Sequence, residues 1–214
     1  MNRFIIDHDQ IDIAQSLCDQ HIVKMPLEEA QMLCTALWEL APNYADANNL
    51  YKPVHQKHPC TLWVMESKDN YRFAYGLYTA MLAEYTHRYG KTHGAGKHSE
   101  ALSIGYDFMP SGGLTPHPQC FSGHDDLKTD EKWPIKAYRA FYKRDKMDFA
   151  RWNKNRAMPE WLREGVYEDD LVTKRNLWSV DLSEYGLNVY ERRINMSYPN
   201  QPQNDGDVDI IWEY

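Results

Sequence analysis

The chain has 214 residues, enough to bury roughly 70% of the surface its unfolded form exposes, so one core can form without cross-links. Four cysteines, Cys18, Cys34, Cys60 and Cys120, stand 16, 26 and 60 residues apart with no CxxC pair. With no secretory leader in view either, we expect reduced thiols and a cytoplasmic setting. Apolar runs are only a few residues long, which excludes a helical membrane span. The formal charge of −7 is uneven: residues 1–156 carry 19 Lys or Arg against 19 Asp or Glu, whereas residues 157–214 carry 5 against 12. The whole excess therefore lies in the last quarter, and a nucleic-acid surface on the rest is not excluded.

In chain order, residues 2–7 (NRFIID) read as one short edge strand or an extended lead-in. From Ile11 the positions Ala14, Leu17, Cys18 and His21 recur at helical spacing. Pro26 marks either a kink or the first turn of a new helix, which then runs to about Leu40 over Leu27, Ala30, Leu33, Cys34 and Leu37. Residues 41–59, rich in Pro, Asn and His, predict a loop. The clearest helix covers about 68–89. There Tyr71, Tyr75, Tyr78, Leu82, Tyr85 and Tyr89 step by four and three residues into a single core stripe, which Gly90 ends. Residues 94–123, with glycines and serines around Pro110, Pro116 and Pro118, predict a long loop. A last helix is expected from Pro134 to about Asn153, followed by the acidic extension with short apolar pieces such as VDIIW near the end. The expected fold is mainly α: one compact helical domain over residues 1–156 with a short N-terminal strand, and an acidic, loosely structured extension over 157–214.

Three clusters could carry chemistry. Residues 132–156 hold nine basic, two acidic and six aromatic side chains, a local charge of +7. Lysines and arginines displace counterions from phosphates and rings accept unstacked bases, so Lys136, Arg139, Tyr142 and Lys143 are candidate substrate-binding residues. The segment CDQHIVKMPLE, residues 18–28, packs four ionisable side chains beside an apolar helix face. If the helix is continuous, His21, Lys24 and Glu28 share a face; if Pro26 starts a helix, Glu28 lies in its first turn. Either way a carboxylate meets an amine and an imidazole, the ingredients of proton transfer or of an imine intermediate. The third cluster, His55, His58 and Cys60 followed by His87, His93 and His98, has no second closed ligand pair. No metal and no cofactor are expected.

At Leu17 to Glu28 the sequence resembles the phage endonuclease V family, the pyrimidine-dimer DNA glycosylases with lyase activity. Asp19-Gln20-His21 followed by Glu28 seven residues after the histidine, the opening Met1-Asn2-Arg3, and Ala83-Glu84 with His87-Arg88 before Gly90 carry the likeness. The whole chain is also similar to a group of uncharacterised tailed-phage proteins.

The resemblance implies a base-excision enzyme acting on a damaged or modified pyrimidine in DNA. Glu28, His21, Lys24 and Asn2 would stand in the catalytic site, and Arg3 and Asp19 would contact the substrate. The family's nucleophile is the α-amine of its processed first residue, normally threonine, where Asn2 stands here. Arginines that flank the family's glutamate are replaced by Leu27 and Gln31. A free or modified nucleotide as substrate, and a nucleic-acid-binding module without catalysis, remain the alternatives.

Overall fold

The computed structural model describes residues 2–163. Most of the acidic extension and its VDIIW piece lie outside the described residues. Seven α-helices carry the fold: α1 (Gln10–Ser16), α2 (Asp19–Leu40), α3 (Pro42–Ala47), α4 (Pro59–Glu66), α5 (Lys68–Tyr89), α6 (Ser99–Ser103) and α7 (Ile135–Asp145). Short 3-10 turns join the later ones. The expectation of a mainly helical domain is met.

The centre is α5, packed on α1, α2 and α4. Ser67 caps its N-terminus by accepting from the Asn70 amide at 3.1 Å, and Gly90 ends it in the left-handed region at φ 63°. Tyr71, Tyr75, Tyr78 and Leu82 are buried, as the stripe predicts, while Tyr85 and Tyr89 reach the edge. These positions need tyrosine rather than phenylalanine for a reason the stripe alone does not reveal. Tyr71 donates to the Leu102 carbonyl at 3.0 Å, Tyr75 to Ser99 at 3.1 Å and Tyr78 to Ala95 at 2.7 Å. The segment expected as a loop at 94–123 is thus pinned at its start, where it forms a 3-10 turn and α6. Glycine is required at 105, because a Cβ there would stand 2.0 Å from the Tyr71 hydroxyl.

Several expectations need correction. Residues 2–6 are extended but pair with no strand, and no strand occurs among the described residues. Phe4, Ile5 and Ile6 instead thread through the core, and the Ile6 carbonyl finds its partner in Arg139 Nε at 2.8 Å. A buried thread can satisfy its backbone with side chains as well as with a ladder. The loop expected at 41–59 contains α3, started by Pro42. The last helix ends at Asp145 rather than near Asn153.

Between α1 and α2 the chain turns at Leu17 and Cys18, both in extended conformation. The polar end of α5 holds this corner. Arg88 reaches Asp19 at 3.0 Å, Glu84 at 2.6 Å and the Gln15 carbonyl at 3.0 Å, and Arg156 pairs with Glu84 at 2.8 Å.

Candidate active site

The site is built where α2 meets the N-terminal thread. Helix α2 runs unbroken through Pro26, which resolves the two readings of that proline in favour of one continuous helix. A proline in this position removes a backbone donor and crowds the preceding turn. Beside it the Val23 carbonyl accepts from His93 Nε2 at 3.0 Å; His93 Nδ1 accepts the Ala95 amide at 3.1 Å, which fixes the proton on Nε2. Continuity places Lys24 and Glu28 one turn apart, and Lys24 Nζ lies 3.0 Å from Glu28 Oε1.

The other oxygen of that carboxylate meets the chain's beginning. The Asn2 backbone nitrogen donates to Glu28 Oε2 at 3.1 Å. Asn2 is held on its remaining sides: Nδ2 donates to the Cys120 carbonyl at 3.0 Å, and Oδ1 accepts from the Arg3 amide at 2.8 Å. Tyr138, whose hydroxyl donates chiefly to the Pro118 carbonyl at 2.8 Å, passes 3.4 Å from the same Oδ1. Glu28 is therefore a partly exposed carboxylate, its side chain 12% accessible, set between the Lys24 ammonium and the Asn2 backbone amide.

Beneath it lies the Arg3–Glu29 ion pair, both side chains fully buried. Arg3 Nε donates to both Glu29 oxygens at 3.1 Å, Nη2 makes a second link to Oε1, and the guanidinium lies 4.9 Å from the Trp63 ring centre. Burial lowers the Arg3 pKa and the Glu29 carboxylate more than reverses it, so the guanidinium stays charged. Nη1 of Arg3 also approaches His117 Nε2 at 3.4 Å, and burial together with Arg3 pushes His117 well below the ordinary histidine range. Arg3, expected as a substrate contact, is placed in the core, where its pair with Glu29 holds the residue next to Asn2.

Other expected site residues are also placed in supporting positions. His21 is buried against Phe4, with ring centres 4.7 Å apart, and its Nδ1 lies 2.8 Å from the Tyr142 hydroxyl. That hydroxyl also accepts the Cys18 amide at 2.9 Å. Burial, with Lys146 and Lys24 adding to it, lowers the His21 pKa to about 4, so the ring is neutral. Tyr142, expected to bind substrate, is fully buried in this structure, with its hydroxyl between Cys18 and His21. Asp19 accepts from Arg88 and, at 2.7 Å, from the Asn153 amide; it too braces the corner instead of facing a substrate.

On α7, Arg139 ties down the thread through Ile6 and through Asp7 at 3.0 Å. Of the four basic-segment candidates, only Lys136 and Lys143 stand exposed.

Sequence reasoning missed the second layer. Glu29, His117, Cys120 and Tyr138 hold Asn2 and Arg3, yet each lies 26 or more residues from its partner and shares no periodicity with it. His58, singled out as metal-like with Cys60, caps α4 by accepting the Cys60 amide at 3.2 Å, and burial lowers its pKa.

No curated protein and no solved structure matches the chain. The resemblance carried by Asp19 to Glu28 is nevertheless borne out, because residues 1–96, which bring Asn2, Lys24 and Glu28 together, match the family model described as pyrimidine dimer DNA glycosylase.

Proposed function

We propose that the protein is a DNA glycosylase with lyase activity that removes a damaged or modified pyrimidine through an imine, with the α-amine of residue 2, released by removal of Met1, as nucleophile and Glu28 as proton acceptor. The observation that supports this reading is the 3.1 Å contact between the Asn2 nitrogen and Glu28 Oε2. A free amine at that nitrogen has an ordinary pKa near 8, against about 10.4 for a lysine, so far more of it is unprotonated near neutral pH.

In the proposed reaction the amine nitrogen attacks C1′ of the deoxyribose, the N-glycosidic bond breaks, and its electron pair leaves with the base. Glu28 takes a proton from the attacking nitrogen and stabilises the positive charge that builds on the sugar. Ring opening, with Glu28 returning its proton to O4′, gives the imine, from which transfer of a C2′ proton to Glu28 expels the 3′ phosphate. The target nucleotide must leave the helix stack to reach Glu28, and Lys136 and Lys143, exposed on α7, are proposed to hold the phosphates around it.

Lys24 is the second candidate nucleophile, since its Nζ lies as close to the same carboxylate. Borohydride trapping on DNA carrying an abasic or modified pyrimidine site, followed by peptide mass mapping, decides between them. The expected adduct is on residue 2 of a chain whose intact mass lacks Met1. An adduct on Lys24 moves the nucleophile to α2, whereas product without any adduct overturns the imine and leaves Glu28 activating water. Product from mononucleotides without retention on DNA would assign the site to a nucleotide substrate instead.

A further inference from the structure

Next to the proposed active site, three potential metal donors converge from two separate parts of the chain. His58 and Cys60 flank Pro59 at the start of α4, and Cys120 comes from the segment that leads to α7. One donor atom from each lies within 4.8 Å of the others, and the two sulfurs are 3.5 Å apart. A tetrahedral ion held at about 2.3 Å by each sulfur and about 2.0 Å by an imidazole nitrogen keeps its donors about 3.5 to 3.8 Å apart. The sulfurs come close to that spacing, and the imidazole needs to shift by up to about 1.3 Å to meet it.

We propose that His58, Cys60 and Cys120 form a binding site for one thiophilic divalent cation of the zinc class, with the fourth coordination position open. Two thiolates and one imidazole are the donor set that such borderline-soft ions select over magnesium or calcium. Binding releases one proton from each thiol, and two thiolates balance the charge of the ion, so the half-buried site gains no net charge.

The backbone around the donors is held in advance. Pro59 fixes the link between His58 and Cys60, the Cys120 amide donates to Tyr138 Oη at 3.2 Å, and the Cys120 carbonyl accepts from Asn2 Nδ2. Cys18 and Cys34, buried like Cys60, join no such cluster among the described residues. Through Cys120 and Asn2 the ion would clamp α4 to the strap that holds the residue facing Glu28, so the site is a brace for the catalytic corner with one position left for water or a ligand.

Titration of the full-length protein with cobalt(II), under a non-thiol reductant and without DNA, tests this. The expected result is one cobalt per chain with a thiolate-to-metal charge-transfer band and the visible absorption of tetrahedral cobalt, both lost when zinc is added. Cys120→Ser and His58→Asn should each weaken binding by at least about tenfold. Asparagine at 58 keeps an acceptor for the α4 cap, so that variant is expected to fold even if the serine variant does not. Absence of charge transfer at saturating cobalt, or wild-type affinity in both folded variants, overturns the site. The readout needs no catalysis, so its failure and that of the glycosylase reading are separate outcomes.

Discussion

Glu28 and Glu29 are neighbours in sequence on α2, yet the helix turns them to opposite fates. Glu29 points into the core, where Arg3 and its surroundings exclude water completely. Glu28 points to the rim, where Lys24 and the Asn2 nitrogen each take one oxygen. About 100° of rotation separates a carboxylate that anchors the N-terminal thread from one left at the rim, where the proposed reaction would use it. The anchor and the rim carboxylate are linked, since Arg3 follows Asn2 directly. A buried pair that fixes residue 3 thereby fixes the nitrogen of residue 2 against Glu28.

The contrast is broken most severely at the rim by Glu28→Gln, which keeps the size of the side chain and removes its capacity to accept a proton. Turnover on DNA should fall by about 10² to 10⁴, with the urea midpoint nearly unchanged. A variant of wild-type activity would leave the carboxylate without a chemical role.

In the core the effect should appear in stability instead. Arg3→Ala leaves Glu29 buried without its partner, at a cost of about 3 to 5 kcal/mol in urea unfolding. Replacing both members with apolar residues of similar volume should recover much of that stability while activity stays low, because residue 2 loses its placement.

His21 sharpens the comparison through pH. Its folded pKa of about 4 lies below the ordinary value of 6.5, so the protein binds the proton less well than the unfolded chain does. Stability is therefore fully present above pH 6.5 and declines as pH falls towards 4, by about 3 kcal/mol in total. In His21→Gln that portion of the pH dependence should vanish from unfolding curves recorded between pH 4 and 7.

The smallest change is expected from Lys24→Ala. Its ammonium side chain is 69% exposed, and surface pairs contribute about 0 to 1 kcal/mol, so the thermal midpoint should move little. Trapping with borohydride should persist in this variant, and loss of the adduct would exchange the roles of the two amines. For the exposed cations on α7, changing Lys136 and Lys143 together to glutamate should reduce the salt dependence of DNA affinity by about one logarithmic unit of slope per lysine.

The amino-acid sequence by itself determined what depends on short-range repetition. The α5 stripe, its glycine end and the apolar face of α2 after Pro26 are properties of residues three to seven apart, and helix geometry converts that spacing directly into a face, whereas the same spacing leaves the continuity of α2 through Pro26 open. Composition likewise pointed to helices with no long apolar span, and no described helix is long and apolar enough to cross a membrane.

Tertiary structure alone decided which polar residues face inward. Asp19, Arg3, Arg139 and Tyr142 read as substrate contacts because charge and aromaticity look alike in sequence whether the partner is DNA or another part of the chain. In the fold each is taken by a partner more than 20 residues away: Arg88, Glu29, the Ile6 carbonyl with Asp7, and the Cys18 amide with His21. The same holds for the meeting of Asn2 with Glu28 and of Cys120 with His58 and Cys60. No local pattern encodes those meetings, because they arise only when the thread, α2, α4 and the strap before α7 close on one core, and burial then demands a specific partner for every polar group carried inside.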